Sequence, residues 1–205
     1  MKETKTPRER RHQRTREAIL TAARQLIAER GADNLSLRAV ARRIDYSPAG
    51  LYEYFDSKDD IVDTLCQRGN AQLGRFLRRV PAGLPLEEYM VQLLGAYIDF
   101  ARQNPELYSL MYTQLTVGIS EVPAEFNPED SFTILIRAVE RGKDEGAFQV
   151  SDDYGVFEIA YSLWAMAHGM AMLQLNYMRG FNFDFERVDR KTVQVFLQGL
   201  IQRGK

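Results

Sequence analysis

Side chains able to do chemistry are concentrated in residues 37–58, LRAVARRIDYSPAGLYEYFDSK, where small, hydroxylated, aromatic and cationic groups follow one another at helical spacing. Ser47 followed by Pro48 is an N-cap and first-turn proline. The short helix they open, expected to run to about Tyr54 or Phe55, carries Ser47, Ala49, Gly50, Tyr52 and Tyr54 toward its N-terminal and outer surfaces, while Leu51 and Phe55 point inward. A helix that is small at its tip and edged with phenols has the shape and the hydrogen-bonding groups to enter the major groove of DNA. Ser57 then caps a further helix, and Lys58 in its first turn adds a cation to the free N–H groups there, a combination suited to a phosphate.

The flanking elements are of the kind that would hold such a helix in place. Ser36 is a candidate N-cap, and Leu37, Val40, Ala41 and Ile44 form one apolar stripe on a supporting helix of about two turns. Asp45 and Tyr46 break that pattern, so the segment reads as a helix-turn-helix. Upstream, Thr6-Pro7-Arg8-Glu9 matches a capping box, and Ile19, Ala22, Ala23, Leu26 and Ile27 recur at helical spacing until Gly31, which predicts a first helix of about six turns. Residues 1–16 hold seven basic against two acidic side chains, net +5, and residues 1–60 hold 13 against 10, net +3, leaving the rest of the chain at −4. A basic arm on a slightly acidic body is the charge distribution of a protein that holds phosphates locally.

The Leu-Tyr-x-Tyr-Phe-x-x-Lys string of residues 51–58 resembles the DNA-binding domain of the tetracycline-repressor (TetR) family. The resemblance implies that Arg38, Ser47, Ala49, Gly50, Tyr52, Tyr54 and Lys58 face DNA, within a helix-turn-helix domain spanning residues 1–58. One position departs from the pattern: many members carry Gly where Asp45 stands. Asp tolerates the left-handed conformation better than most residues, so the turn is expected to survive.

Composition narrows the remaining classes. A chain of 205 residues with 45% hydrophobic content can bury a sizeable core in one or two domains. The single cysteine, Cys66, excludes an internal disulfide framework and sits in an apolar run, as a buried structural thiol does. With two histidines, His12 and His168, and no phosphate-cradling glycine loop, nucleophile elbow or two-histidine zinc motif, neither an enzyme nor a metal or cofactor protein is indicated. The charged N-terminus lacks the apolar stretch of a signal peptide, and the expected location is cytoplasmic. Between Glu158 and Arg179 lie 20 uncharged residues, long enough to span a bilayer. They include Ser162, His168, Gln174 and Asn176 and lack lysine-rich flanks, so they are read as a helix buried all round, one side on the protein's own core and the other on a second subunit, with no membrane role.

Residues 59–205 show only helical patterns, giving an all-α chain of about nine helices with an effector-binding and dimerisation domain at 59–205. Helices are expected over 57–80 and 86–103, then from Asn104-Pro105-Glu106, from Asn127-Pro128-Glu129 after a 116–126 loop, from Ser151-Asp152-Asp153, and after a turn at 180–183. Gly146 is expected to close the seventh. Trp164 with His168-Gly169 is similar to TetR regulators whose C-terminal domain is named for a Trp-His-Gly pattern. That resemblance implies a homodimer paired through its last two helices, on a palindromic double-stranded operator, released by a small-molecule effector bound within each subunit. Trp164 and His168, four apart, share a helix face. Phe100, Tyr108, Tyr112 and Met166, with Tyr97, Met111 and Phe132, could line the same space, an aromatic and methionine-rich lining suited to a hydrophobic or amphipathic ligand. For the dimer the expected stripe on the last helix is Val188, Thr192, Val195, Phe196, Gly199 and Leu200. The alternative is an all-helical ligand-binding or adaptor protein without operator recognition.

Overall fold

The computed structural model describes residues 6–113, 130–148 and 150–200, and among them it has nine α-helices and no extended strand. The described residues form two compact units, one of residues 6–69 with 109–113 and the other of residues 70–108 with 130–148 and 150–200.

The first unit contains α1 (Pro7–Arg30), α2 (Leu37–Arg43), α3 (Pro48–Leu51), the first part of α4 (Lys58–Leu77) and the end of α6 (Pro105–Thr113). Local chemistry sets each boundary. The Thr6 hydroxyl accepts from the Glu9 N–H while the Glu9 carboxylate accepts from the Thr6 N–H, and Gly31, at φ 81°, donates its N–H to Ile27 C=O where α1 ends. Ser36 Oγ caps α2 by accepting from the Ala39 N–H at 3.2 Å, and Ser47 Oγ caps α3 by accepting from the Gly50 N–H at 3.0 Å. Between them Asp45 adopts φ 52°, the only non-glycine in the left-handed region among the described residues. That conformation lets the Tyr46 N–H return to Ala41 C=O at 2.9 Å. Leu51 and Phe55 are buried with Ile19, Val40, Ile61 and Leu65, each contributing about 1.5–3 kcal/mol by its removal from water. Cys66 belongs to the same core, where burial raises its thiol pKa, as befits a structural cysteine.

The second unit is built around α5 (Leu86–Gln103), which packs on α7 (Ser131–Asp144), α8 (Val156–Asn176) and α9 (Phe185–Leu200). Three boundaries here differ from the sequence reading, one of them the start of α7, which lies at Ser131 after an extended Asp130 rather than at Asn127. α4 ends at Leu77 and continues to Val80 only through tighter turns, Arg79 N–H to Phe76 C=O and Val80 N–H to Leu77 C=O. α8 begins at Val156 rather than at Ser151-Asp152-Asp153, because the Ser151 hydroxyl donates to Asp153 and the segment closes its own turn with Tyr154. The start of α8 is served instead by Glu158, whose carboxylate accepts from the Gly155 N–H at 2.9 Å. α7 is capped by Asp130, which accepts from the Phe132 N–H, and closes through Gly146 at φ 68°. The 116–126 loop, the Asn127-Pro128-Glu129 start and the arm lysines Lys2 and Lys5 lie outside the described residues.

Of the two partners expected for α8, this chain supplies one. Ile159, Ala160, Leu163, Ala167 and Ala171 are buried, while Tyr161 and Leu173 are about half exposed. A single chain supplies partners for one side of this helix only. Among the described residues α8 alone is long and apolar enough to cross a membrane, yet its buried side packs on α5 and α7.

Candidate nucleic-acid interface and effector cluster

In the first unit the short α3 stands on α2, with Leu51 and Phe55 anchoring it and the opposite side open. Arg38, Ser47, Ala49 and Lys58 are exposed, and Tyr52 is 59% exposed just past the end of α3. That helix ends at Leu51 rather than at Tyr54 or Phe55 because the chain continues in tighter turns, Glu53 N–H to Gly50 C=O and Tyr54 N–H to Leu51 C=O. Lys58 is the first residue of α4 and adjoins Ser57, whose Oγ accepts from the Asp60 N–H at 3.1 Å. The Lys58 ammonium stands at the N-terminal end of α4 beside Asp59 and Asp60 of the same turn, as the cation there able to meet a phosphate. Tyr54 differs from the other groove-side residues: it is half buried, its ring stacked on His12 of α1 at 4.5 Å between centroids. Gly50 is also half buried, covered by the ring of Tyr46.

Ion pairs and cation–π contacts fix this unit around α3. Arg43 of α2 forks onto Glu29 of α1 at 2.7 and 2.9 Å, and Arg68 of α4 forks onto Glu17 of α1. Hydrogen bonds from these arginines hold both carboxylates below their ordinary pKa. The Arg16 guanidinium lies 4.7 Å above the Phe55 ring and donates to the Thr64 hydroxyl. The sequence reading missed His12, Arg16 and Tyr46. Their partners Tyr54, Phe55 and Gly50 lie on other elements, and the one available signal was an aromatic residue in a two-residue turn.

In the second unit the structure brings Trp164, His168 and Tyr108 together with Tyr97. The Trp164 Nε1–H donates to Tyr97 Oη at 3.0 Å, the Tyr97 and Tyr108 hydroxyls are 3.0 Å apart, and Tyr108 Oη lies 2.7 Å from His168 Nδ1. The Tyr97 hydroxyl accepts from the indole and from Tyr108 and also lies 3.2 Å from His168 Nδ1, so both phenols flank that nitrogen, as suits a neutral imidazole that accepts at Nδ1 and carries its proton on Nε2. Burial lowers the His168 pKa, in keeping with that neutral form. Phe132 packs edge-on against Trp164 at 5.7 Å.

Four expected lining residues fall elsewhere. Phe100 is fully buried with its edge toward Phe76 of α4. Met166, two positions from Trp164, projects from nearly the opposite side of α8. Met111 and Tyr112 belong to the first unit. A groove of about 370 Å³ opens away from the Trp164–His168 chain, between the end of α4, α5 and the start of α9, with Gly95 and Val193 among its lining. At its edge Arg102 donates to Asp99 at 2.9 Å, to Asp189 at 2.6 Å and to Gln174 at 2.9 Å, joining α5 to α8 and α9.

On α9 the expected dimer stripe divides. Val195 is 57% exposed, Gly199 is exposed and Phe196 is half buried, but Leu200 is buried within the chain. Leu200 lies on the inward side with Val193 and Leu197, because positions 193, 197 and 200 recur at i, i+4 and i+7. Tyr161, Leu173 and Tyr177 of α8 and its end, with Phe181, Phe183 and Val195, make up most of the exposed large apolar side chains.

Comparison with known proteins places these features in context. Residues 19–65 match the family model described as bacterial regulatory proteins, tetR family, and residues 90–196 match the tetracyclin repressor-like C-terminal domain. The chain is 25% identical over 166 residues to the uncharacterized HTH-type transcriptional regulator Rv0681 of Mycobacterium tuberculosis, covering 78% of this chain and 70% of that one. It superposes with a TM-score of 0.72 and 26% identity on a Rhodococcus sp. RHA1 protein of unknown function, over 91% of this chain and 95% of that one. A putative tetR family transcription regulator from Shewanella sp. PV-4 shares the fold at a TM-score of 0.67 and 14% identity, over 92% and 98% of the two chains.

Proposed function

The chain belongs to the TetR family of bacterial regulatory proteins and is a DNA-binding transcriptional regulator, and on that premise we propose that it is a cytoplasmic repressor, homodimeric on a palindromic operator and released by a small hydrophobic or amphipathic ligand. The observation that carries the DNA-binding part is the open side of α3. Arg38, Ser47, Ala49 and Tyr52 are solvent-accessible there while Leu51 and Phe55 lock the helix to its support. Base edges are assigned to the residues at and just after α3, and phosphates to Lys58 and Arg38.

The exposed apolar side chains of α8 and α9 support dimerisation, with Val195, Phe196 and Gly199 as contacts and Leu200 reassigned to the protomer core. We assign effector binding to Trp164, His168 and Tyr108, with Tyr97 added. This hydrogen-bonded chain within an aromatic core offers a polar tip and an apolar body to one ligand. A ligand shifts the protein off DNA only if it binds the DNA-incompetent arrangement more tightly. α4, continuous from the Lys58 end into the second unit, is the element to which we assign the coupling.

A ligand-titrated release assay tests this reading. Operator binding by wild type, Trp164→Ala and His168→Ala is followed by fluorescence anisotropy while an inducing ligand from a chemical library is added. The expected result is unchanged operator affinity without ligand and a release curve shifted at least tenfold for each variant. Superimposable release curves would remove these residues from the effector site.

A further inference from the structure

The recognition segment contains a position that its own residue leaves empty. Gly50, the third residue of α3, has no side chain, yet a Cβ built there would lie 2.6 Å from Cε1 and 3.2 Å from Cδ1 of Tyr46. The ring of Tyr46 therefore occupies the space into which a side chain at position 50 would project. Tyr46 is 38% exposed, the residue immediately before the α3 N-cap, and lies outside the helix whose surface it covers.

The ring is held rather than loose. Its edge meets Tyr54 with centroids 6.2 Å apart and planes at 76°, and Tyr54 in turn stacks on His12 of α1 at 4.5 Å. The neighbouring Tyr54 phenol holds the Tyr46 hydroxyl above its ordinary pKa, so it is present as a neutral phenol able to donate and accept. Three elements thus fix one aromatic side chain: the turn through its backbone, α3 through the absent Gly50 side chain, and α1 through the His12–Tyr54 stack. Preorganisation of this kind is what a base-reading group needs, because a contact with a base edge discriminates only if its geometry is set before binding.

We propose that Tyr46, lying over Gly50, is a base-reading residue of the recognition surface, supplying from the turn the side chain that α3 lacks at its third position. The proposal rests on the DNA-binding reading above and adds a residue to it. Thymine methyl contact through the ring and a hydrogen bond from the phenol are the two chemistries this group offers in a major groove. Tyr54 and His12 act through Tyr46 as positioning residues.

The experiment is selection from a random duplex DNA library with the full chain, followed by competition titrations against every single-base substitution of the selected site. Wild type, Tyr46→Ala, Tyr46→Gln and Tyr46→Phe are compared at one salt concentration, with circular dichroism to verify folding. The expected result is that Tyr46→Ala loses about tenfold of discrimination at one position in each half-site and keeps its affinity for unselected DNA. Tyr46→Gln, whose amide favours adenine, acquires a different preference at that position. Tyr46→Phe separates the two chemistries: retained discrimination identifies the ring, and lost discrimination the hydroxyl. A base-preference profile for Tyr46→Ala and Tyr46→Gln identical in shape to wild type, whether affinity falls or not, overturns the proposal while leaving the DNA-binding reading intact. Failure of wild type to select any sequence overturns both.

Discussion

Substitution of Asp189 separates two explanations of how α9 is held. Its carboxylate is 8% exposed, accepts from the Arg102 guanidinium at 2.6 Å and lies 3.0 Å from Gln174 Nε2 through both oxygens. Despite these partners its pKa is raised, because loss of hydration outweighs what Gln174 and Arg102 restore. The charge therefore contributes little net stability, and the hydrogen-bonding shape contributes most. Asp189→Asn keeps an acceptor for Arg102 and removes the desolvated charge, so it is expected to change unfolding free energy by no more than about 1 kcal/mol at pH 7. Asp189→Leu strips a partner from both Arg102 and Gln174. A fully buried broken pair costs about 3–5 kcal/mol, but Arg102 is about one-third exposed and keeps Asp99, so about 1–3 kcal/mol is expected. The pH dependence carries the sign. A carboxyl whose folded pKa lies above its unfolded one contributes stability that is full below the unfolded value, near about 3.9, and is lost as pH rises through the folded value. Wild type minus Asp189→Asn should thus become more favourable to wild type as pH is lowered from 7 to 4. Urea unfolding followed by circular dichroism at one chain concentration measures this difference. An Asp189→Asn cost equal to that of Asp189→Leu, or a wild-type advantage that grows with pH, would refute the reasoning.

Further outcomes follow from individual contacts. A Cβ at Gly142 would penetrate the buried Phe148 ring, whereas one at Gly95 meets nothing within 4 Å. Overpacking of about 1–3 kcal/mol exceeds the helix propensity of Ala over Gly, about 1 kcal/mol, so Gly142→Ala should lower Tm by several degrees while Gly95→Ala raises it slightly by calorimetry. A charge at Val195 or Phe196 should yield monomer by sedimentation with a folded protomer, while Leu200→Glu should lower Tm because that side chain is buried within the chain. His168, kept neutral by burial, contributes stability that is full above its unfolded pKa of about 6.5 and is lost as pH falls through its lowered folded value. Denaturation between pH 7 and 5 should accordingly show a steeper loss for wild type than for His168→Gln.

How much of this was legible in the sequence depends on the range of the interactions. Caps at Thr6, Ser36, Ser47 and Ser57 act within three residues, so the first four helix starts and the left-handed Asp45 were readable. Ser151 misled because the same side chain types that cap helices also close isolated turns. The α9 stripe was readable as apolar, but which side faces inward depends on α5: Asp189, Val193 and Leu197 are buried while Val195 is not. Tyr46 over Gly50, His12 on Tyr54 and the Arg102–Asp189 pair join residues on separate elements, and no spacing rule connects them.

The central claim, that α3 and the start of α4 hold DNA, is tested most directly by operator titrations over a range of salt for wild type, Tyr52→Ala and Lys58→Ala. Log affinity should fall linearly with log salt, with Tyr52→Ala displaced to weaker binding at every concentration. Lys58→Ala should also be weaker, with a slope reduced by about one per subunit as a phosphate contact is lost. Salt-independent binding, or variant curves superimposed on wild type at every salt concentration, would contradict the account.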